Sequence, residues 1–294
     1  MFRTLPRFEY LSPETLGEAI ALLKEYGGKA KVLAGGTDLI PQMKWGEYRP
    51  EVVITLNRIP GLDQIDYHEK SGLKLGALSR IAKIEKSEVL RKHYPLLPRA
   101  ASLLACSEIR NRGTVGGNLC TAVPSADMPP SLLALQASAV IGSEKGERVL
   151  PLEEFFLGPK KTVLSHDEIL LRLELPPMQP DSAGEYIKFG RRNAMEIAMI
   201  GVAAVLTVAP DKEKCLDAKL AFATAAPTPM RAREAEKILI NSRLDADVIE
   251  EAAQRASREA SPRSSWRTSE EYRREIIPVL TRRAIRNALN KIGH

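Results

Sequence analysis

Residues 109–119 read Ile109-Arg110-Asn111-Arg112-Gly113-Thr114-Val115-Gly116-Gly117-Asn118-Leu119, and the rest of the chain can be interpreted outward from this stretch. An earlier copy of its glycine pair stands in Ala34-Gly35-Gly36-Thr37-Asp38. Glycine has no Cβ, so backbone N–H groups in such turns can approach a ligand closely. Two turns of this kind can together hold the two phosphates of a dinucleotide with main-chain donors.

Either glycine pair alone is more typical of an ordinary tight turn than of a phosphate site. Neither has the G-x-G-x-x-G spacing of a Rossmann domain or the G-x-x-x-x-G-K-[ST] spacing of a P-loop, which argues against those two nucleotide folds. Each turn also carries a hydroxyl, Thr37 or Thr114, and a further polar side chain, Asp38 or Asn118. The interpretation therefore depends on the pair of turns and on the sequence around them.

Four further motifs follow the turns in order and extend over nearly the whole chain. They are Pro124-Ser125-Ala126-Asp127-Met128-Pro129, Tyr186-Ile187-Lys188-Phe189, Ala226-Pro227-Thr228-Pro229-Met230-Arg231-Ala232 and Ser269-Glu270-Glu271-Tyr272-Arg273-Arg274. With the two turns, this ordered series resembles the FAD-binding medium subunit of the molybdenum hydroxylases. That family includes xanthine dehydrogenase and the aerobic carbon monoxide dehydrogenase.

The resemblance implies an α+β fold with two parts. An FAD-binding domain of the PCMH type would occupy residues 1–176, as two subdomains at about 1–58 and 59–176. A carbon monoxide dehydrogenase flavoprotein-like domain, a β-sheet plus helices, would occupy residues 177–294. The length of 294 residues is also what about two domains require, and prolines at 176, 177 and 180 mark a boundary there.

Local patterns predict the elements that deliver the motifs. Lys31–Leu33, the β-branched run Val52–Leu56 and the apolar run Ile169–Leu175 predict strands. A longer apolar stretch, Ile197–Ala209, predicts a strand of the second domain. Ser12-Pro13-Glu14 predicts a helix start, with serine at the cap and proline at the first helical position.

The resemblance also implies the cofactor site, in which N–H groups of residues 34–39 and 114–118 hold the pyrophosphate of FAD. The implied cofactor-binding residues are Val32, Leu33, Ala34, Gly35, Gly36, Thr37, Asp38, Leu39, Leu104, Ile109, Thr114, Val115, Gly116, Gly117, Asn118, Thr121, Asp127, Leu164, Lys188 and Ile197. No catalytic side chain and no metal ligand is implied in this chain. If Gly116 meets phosphate, Gly116→Val should lower FAD content sharply and leave the fold largely intact.

Individual side chains acquire roles only from the resemblance. Leu104, Leu164 and Ile197 would contact the rings, and Asp127 would accept hydrogen bonds from ribose hydroxyls. Lys188 would lie near the isoalloxazine, where its charge stabilises a reduced anionic flavin. The residues alone allow simpler roles: Asp127 can cap a helix, and Lys188 can be an exposed strand residue.

The implied function is electron transfer. The chain has neither the G-x-S-x-G nor the H-E-x-x-H motif of hydrolases, which fits a protein whose chemistry belongs to a bound cofactor. The family places [2Fe–2S] clusters on a small partner subunit and the molybdenum cofactor on a large one that oxidises a purine, another N-heterocycle or an aldehyde. Electrons would pass through FAD to NAD or another soluble acceptor.

Several alternatives stay open at this level. Some carbon monoxide dehydrogenase-like members have a tyrosine at the position of Ile197, so the acceptor is not fixed. The flavin subunit of a carbon monoxide dehydrogenase or of an aromatic acyl-CoA reductase-type complex remains possible, although the cysteine-bearing insertion of 4-hydroxybenzoyl-CoA reductase is missing. The other two alternatives are a stand-alone FAD-dependent oxidoreductase and a basic scaffold protein without a cofactor.

Composition limits the partners and the compartment. The net charge of +6 is modest and only 5% of residues are aromatic, which argues against nucleic-acid binding. Three cysteines without C-x-x-C spacing cannot supply the four ligands of an iron–sulfur cluster. The N-terminal residues lack the apolar core of a signal peptide, and no apolar run is long enough to span a membrane. A cytoplasmic protein is expected.

Overall fold

The computed structural model describes residues 4–292; residues 1–3 and 293–294, which the expected domain limits include, lie outside the described residues. Within that range three main sheets follow one another along the chain, each with its own helices. The first sheet is parallel and the other two are antiparallel. This mixture of sheets and helices confirms the expected α+β fold.

The first unit is a three-stranded parallel sheet with two helices. Its elements are β1 (Glu9–Leu11), α1 (Leu16–Tyr26), β2 (Ala30–Leu33), α2 (Leu39–Trp45) and β3 (Val52–Thr55), and a short 3₁₀ helix at Gly27–Lys29 lies between α1 and β2. β3 lies in the middle, between β1 and β2. The expected strands at 31–33 and 52–56 are thereby confirmed, to within one residue at an end.

The start of α1 differs from the expectation. Thr15, not Ser12, is the N-cap: its hydroxyl accepts the N–H of Glu18, and the Glu18 carboxylate accepts the N–H of Thr15. This reciprocal capping box satisfies two N–H groups at once, and Ser12 cannot form one because the residue three positions later is Thr15 rather than Glu or Gln. The expected start at Ser12 is therefore wrong by three residues.

The second unit is a five-stranded antiparallel sheet covered by short helices. Its elements are β4 (Ile65–His68), β5 (Gly72–Gly76), α3 (Ile81–Lys86), α4 (Glu88–His93), α5 (Leu96–Ser102), α6 (Ser107–Arg112), α7 (Val115–Cys120), α8 (Met128–Ala134), β6 (Ser138–Ser143), β7 (Gly146–Pro151), a 3₁₀ helix (Leu152–Glu154), β8 (Phe156–Gly158), β9 (Lys161–Thr162) and β10 (Ile169–Leu175). The strand order is β4-β5-β10-β6-β7, and β8 pairs separately with β9. Because β10 lies at the centre, its buried apolar run predicts its bounds well.

The third unit is a four-stranded antiparallel sheet with three helices. Its elements are β11 (Ser182–Phe189), β12 (Ile200–Val208), β13 (Cys215–Ala223), β14 (Met230–Arg231), α9 (Arg233–Leu239), α10 (Ala246–Glu259) and α11 (Glu270–Ile292). One face of the sheet, with Ala203 and Val205, joins the core of the second unit, and the other, with Val202 and Leu220, packs against the helices of its own unit. The two buried faces explain why β12 reads as a continuous apolar run.

The start of β12 also differs from the expectation. β12 begins at Ile200 rather than at the expected Ile197, because its ladder with β11 ends at the pair Phe189–Ile200. Residues 190–199 form a loop, and Ile197 is exposed within it.

Across residues 4–292, no helix combines the length and the apolar character needed to cross a bilayer.

Candidate cofactor site

The two glycine segments meet at the junction of the first and second units. Gly35 lies so close to the end of α6 that an added Cβ would stand 2.2 Å from the carbonyl oxygen of Arg112 and 2.9 Å from the Cα of Gly113. A Cβ added to Gly113 would in turn lie 3.5 Å from the hydroxyl oxygen of Thr37. The segments are therefore in van der Waals contact through their backbones.

The first segment, residues 35–39, presents its main-chain donors. None of its five N–H groups has an acceptor among the described residues, although the carbonyls of Gly36 and Asp38 accept from Ile40 and Gln42 at the start of α2. Gly36 has a φ of +75°, a conformation that side chains disfavour. Because backbone donors near a protein surface need partners, this run of N–H groups is open to water or to an anionic ligand.

The second segment is a helix start rather than an open turn. Thr114 caps α7 by accepting the Gly117 N–H at 3.0 Å, and the Asn118 N–H donates to the Thr114 carbonyl. The N–H groups of Val115 and Gly116 donate to the carbonyls of Ser79 and Ala77 at 3.0 and 2.8 Å. The expectation that the N–H groups of 115–118 hold a pyrophosphate therefore conflicts with acceptors they already have.

Gly116 is required for packing and not for an unusual φ. Its φ is not positive, and an added Cβ would lie 2.7 Å from both the Cβ and the carbonyl oxygen of Ala77. The expectation that Gly116→Val leaves the fold largely intact is therefore wrong, because a valine would overlap Ala77. A sequence pattern cannot distinguish a glycine in a turn from one pressed against a neighbouring backbone.

The N–H groups of residues 35–39 and the side chains of Thr37, Asp38, Asn118 and Thr121 form a polar surface that we call the polar recess. Asp38 and Cys120 are both exposed, yet burial among protein atoms raises the pKa of the Asp38 carboxyl and raises the pKa of the Cys120 thiol to about 12. The Thr121 hydroxyl, which donates to the carbonyl of Gly117 at 2.8 Å, opposes the shift at Asp38, so that Thr121 lies next to Asp38 of the first segment.

The chemistry of this recess fits a dinucleotide. Residues 35–39 offer unpaired N–H donors, the two threonines Thr37 and Thr121 offer hydroxyls, and the Oδ1 atom of Asn118 is buried without a hydrogen-bond partner. Main-chain donors suit a diphosphate, and an unpaired amide oxygen suits a hydroxyl of a ribityl or ribose group. At Gly35 the backbones of the two segments touch with no side chain between them.

A buried ion pair lies further along the site. The ammonium of Lys188 on β11 donates to Asp127 Oδ2 at 2.8 Å and to the carbonyl of Leu103 at 3.0 Å. The hydroxyl of Tyr186 donates to Asp127 Oδ1 at 3.0 Å. Burial raises the pKa of Asp127 while the charge of Lys188 opposes the shift, and burial with the nearby carboxylate raises the pKa of Tyr186 well above its usual value.

This network changes the interpretation of two residues. Lys188 is not an exposed strand residue, because its side chain is 7% exposed, and its charge is balanced by Asp127. Asp127 does not cap α8 with its side chain. Tyr186 was not among the expected site residues, and only its spacing of two from Lys188, which puts both side chains on one face of a strand, could have indicated it.

The apolar residues expected at the cofactor site differ in exposure. Leu104 is buried at 8% exposure, whereas Ile109 and Leu164 are half-buried against the same core. Ile197 is 46% exposed, in the loop between β11 and β12. The N–H of Met195 donates to the carbonyl of Ala105 at 3.3 Å, which brings that loop to the residue after Leu104. Val32 and Leu33 precede the first glycine segment along the chain, and Leu39 is its last residue.

Comparison with protein families agrees with this architecture. Residues 6–178 match the FAD binding domain in molybdopterin dehydrogenase, and residues 185–288 match the CO dehydrogenase flavoprotein C-terminal domain. The chain belongs to the family of FAD-binding medium subunits of the molybdenum hydroxylases. FAD is the cofactor of that domain, and the recess between the glycine segments fits it.

Individual relatives match over the full length. The chain is 34% identical over 285 residues to a putative xanthine dehydrogenase FAD-binding subunit of Escherichia coli (strain K12), covering 97% of each chain. A chain of carbon monoxide dehydrogenase from Hydrogenophaga pseudoflava, in a form lacking the Mo-pyranopterin moiety of the molybdenum cofactor, superimposes with a TM-score of 0.94 at 32% identity over 98% of this chain and 99% of that one. A chain of quinoline 2-oxidoreductase from Pseudomonas putida 86 gives 0.91 at 27% identity, over 99% and 100%.

Proposed function

We propose that this chain is the FAD-binding electron-transfer subunit of a molybdenum-cofactor-dependent hydroxylase or dehydrogenase of the xanthine dehydrogenase kind. It passes electrons between a [2Fe–2S] partner subunit and a soluble acceptor, NAD or another oxidant. A large partner subunit carries the molybdenum cofactor and oxidises the substrate. The observation that carries the proposal is the contact of Gly35 with Arg112 and Gly113, which joins a run of unpaired N–H groups to the wall of a polar recess.

The residues of the recess have distinct roles in this proposal. Bound FAD exchanges one or two electrons, so it can link a one-electron cluster to an acceptor of hydride. The N–H groups of residues 35–39 bind the diphosphate, and Thr37, Asn118 and Thr121 bind adjoining oxygens. Leu104, Leu164 and Ile197 border the rings and exclude water. The Lys188–Asp127 pair fixes the carbonyl of Leu103 and so the position of Leu104.

The division into domains is part of the proposal. Residues 1–176, with subdomains at about 1–58 and 59–176, hold FAD, and residues 177–294 form the C-terminal domain. The sheet boundaries support this division, because β10 ends at Leu175 and β11 begins at Ser182. The first glycine segment then comes from the first subdomain and the second from the next.

The proposal assigns the metals of the complex to partner subunits. Within residues 4–292, no group of three or more His, Cys, Asp or Glu side chains is placed to hold a metal ion. In this proposal the iron and the molybdenum of the complex are held by other chains. The relatives act on different substrates by name, so this chain leaves the substrate open among purines, other N-heterocycles and aldehydes. The free cysteines favour a cytoplasmic complex.

The test is purification through a tag on this chain from its own host. FAD, iron and molybdenum are measured per tagged chain, and substrate-dependent reduction of NAD is compared with reduction of a dye. The proposal expects FAD in this chain and both metals in its co-purifying partners. A tagged chain that turns over a substrate with FAD alone and no metal would instead establish the stand-alone oxidoreductase.

A further inference from the structure

The loop between α10 and α11 carries an unusual surface. Ser265 and Thr268 form a bridge that closes a tight turn, and Trp266 at its tip has a side chain that is 73% exposed. The guanidinium of Arg267 lies 4.2 Å from the centroid of the Trp266 ring, and that of Arg191, from the loop after β11, lies 4.8 Å from it. Two segments distant in sequence therefore present one aromatic ring and two cations.

These cations have no counter-charge of their own. In the part of the chain that the structure describes, Arg191, Arg263 and Arg267 form no ion pair. Of the acidic side chains near them in the sequence, Glu196 pairs with Arg192 and Glu270 pairs with Arg274. A positive surface without internal partners is open to an acidic partner from outside.

A buried arginine supports the same surface from below. Arg273 is 3% exposed, donates to the carbonyl of Arg263 and to the hydroxyl of Ser265, and so holds the loop in shape. Its Nε atom is buried without any hydrogen-bond partner. Burial lowers the pKa of Arg273, and the charges of Arg263 and Arg267 lower it further. A buried charge without an opposite charge is costly, and an approaching anionic group would relieve that cost.

The loop after β11 brings Arg191 of this surface to the end of the strand that carries Lys188. The ring of Tyr272, 42% exposed, lies 6.4 Å from the ring of Phe189 at the end of β11, on the face of the strand opposite to Lys188. Arg191 belongs to the same loop as Ile197, the expected ring contact. We call Arg191, Arg263, Trp266 and Arg267, backed by Arg273, the arginine–tryptophan patch.

We propose that the arginine–tryptophan patch is a docking surface for an acidic face of the iron–sulfur partner subunit, an inference that rests on the proposed function. Tryptophan and arginine are the residues that most often dominate the binding energy of protein interfaces. Charge complementarity selects an acidic partner. A protein occupant is favoured over a nucleotide because two guanidinium groups already lie over the Trp266 ring, which leaves less of it for stacking a base.

The test reverses the charge of the patch in the intact complex. Arg263→Glu and Arg267→Glu are combined in the tagged chain, and iron and acid-labile sulfide are measured per FAD after purification at rising salt. We expect at least tenfold less iron per FAD than in the wild type at moderate salt. The matched control combines Lys70→Glu and Lys145→Glu, two exposed lysines in hairpin turns of the second unit, which change the net charge equally and should retain the iron.

Each other outcome is also decisive. Iron per FAD equal to that of the wild type would overturn the docking surface. If the variant retains its iron but loses NAD-dependent turnover, the docking surface is again overturned and the patch is assigned to a small acceptor. A wild-type preparation without iron would overturn the proposed function itself. If the double variant loses FAD, Trp266→Ala repeats the measurement, because its exposed side chain is not part of the core; wild-type iron retention would again overturn the inference.

Discussion

Gly35 and Arg112 are in backbone contact across the junction of the first two units, with only 2.2 Å between the Arg112 carbonyl oxygen and the position of a Cβ on Gly35. Real Cβ atoms do not approach a carbonyl oxygen so closely, so any side chain at Gly35 must separate the two backbones. The contact sets the distance between the N–H groups of 35–39 and the N-terminal end of α7. It therefore controls the geometry of the candidate cofactor site.

Gly35→Ala is expected to weaken FAD binding at least tenfold and to lower the free energy of unfolding by about 1–3 kcal/mol, because the methyl group overpacks the junction. FAD affinity is measured by flavin fluorescence, and stability by urea unfolding. Gly17→Ala is the control, since Gly17 is exposed in α1 with nothing within 4 Å of its added Cβ. Alanine should stabilise that helix by about 0.5–1 kcal/mol. Unchanged FAD affinity in Gly35→Ala would contradict the role of the contact.

Gly116→Ala is expected to destabilise the fold with or without FAD, by about 1–3 kcal/mol, because the new methyl group lies 2.7 Å from Ala77. Gly117→Ala is the matched variant. Its added Cβ meets only the side-chain oxygen of Thr114, at 2.9 Å, and a loss of that cap is worth about 1 kcal/mol. Urea unfolding of the apo and FAD-bound forms gives both values. Equal effects at Gly116 and Gly117 would show that Ala77 does not set the tolerance.

Patterns of the chain predict those features of the fold that depend on burial. The strand Ile169–Leu175 has the expected bounds because it is central in its sheet. The predicted start of α1 was wrong because two patterns near it are typical of a helix cap: Ser12 before a proline, and Thr15 three residues before Glu18. The reciprocal hydrogen bonds of Thr15 decide between them. Local patterns therefore determine the existence of elements better than their ends.

The candidate site was predictable to a different extent. The two glycine segments could be picked out from the sequence, and their contact at Gly35 agrees with a shared site. The acceptors of the N–H groups in the second segment could not be predicted. Val115 and Gly116 donate to the carbonyls of Ser79 and Ala77, which are more than thirty positions away in the sequence and belong to no motif. The pairing of Lys188 with Asp127 is equally non-local.

The Asp127–Lys188 pair should show strong energetic coupling. Asp127→Asn or Lys188→Met leaves a buried charge without its partner, and each is expected to lower the free energy of unfolding by about 3–5 kcal/mol. The loss of unfolding free energy in the double variant should be smaller than the sum of the two single losses by about 0.5–3 kcal/mol. Tyr186→Phe, which removes only the hydrogen bond to Oδ1, should lose about 1.5–3 kcal/mol. A double-mutant cycle from urea unfolding tests the coupling, and strictly additive losses would contradict it.

The loop that carries Leu164 should be anchored in a pH-dependent way. Arg148 donates to both carboxylate oxygens of Glu168, at 2.7 and 2.8 Å, and to the carbonyl of Val163. The hydrogen bond from Arg148 is the main reason that the pKa of Glu168 lies below its ordinary value of 4.5. A lowered carboxyl pKa gives stability that is fully present above 4.5 and is lost as the pH falls through the lower folded value.

Glu168→Gln is therefore expected to lower the free energy of unfolding by about 0.5–1 kcal/mol at neutral pH, a modest value because the Arg148 side chain is 43% exposed. The difference from the wild type should shrink as the pH falls below 4.5 and through the lowered folded pKa, where the wild-type carboxyl becomes protonated. FAD affinity should fall slightly with it, since Leu164 lies within the anchored loop. Unfolding in urea as a function of pH gives the comparison. A difference that instead grows toward acid pH would show that Glu168 is stabilised by its neutral form, contrary to the direction of its pKa.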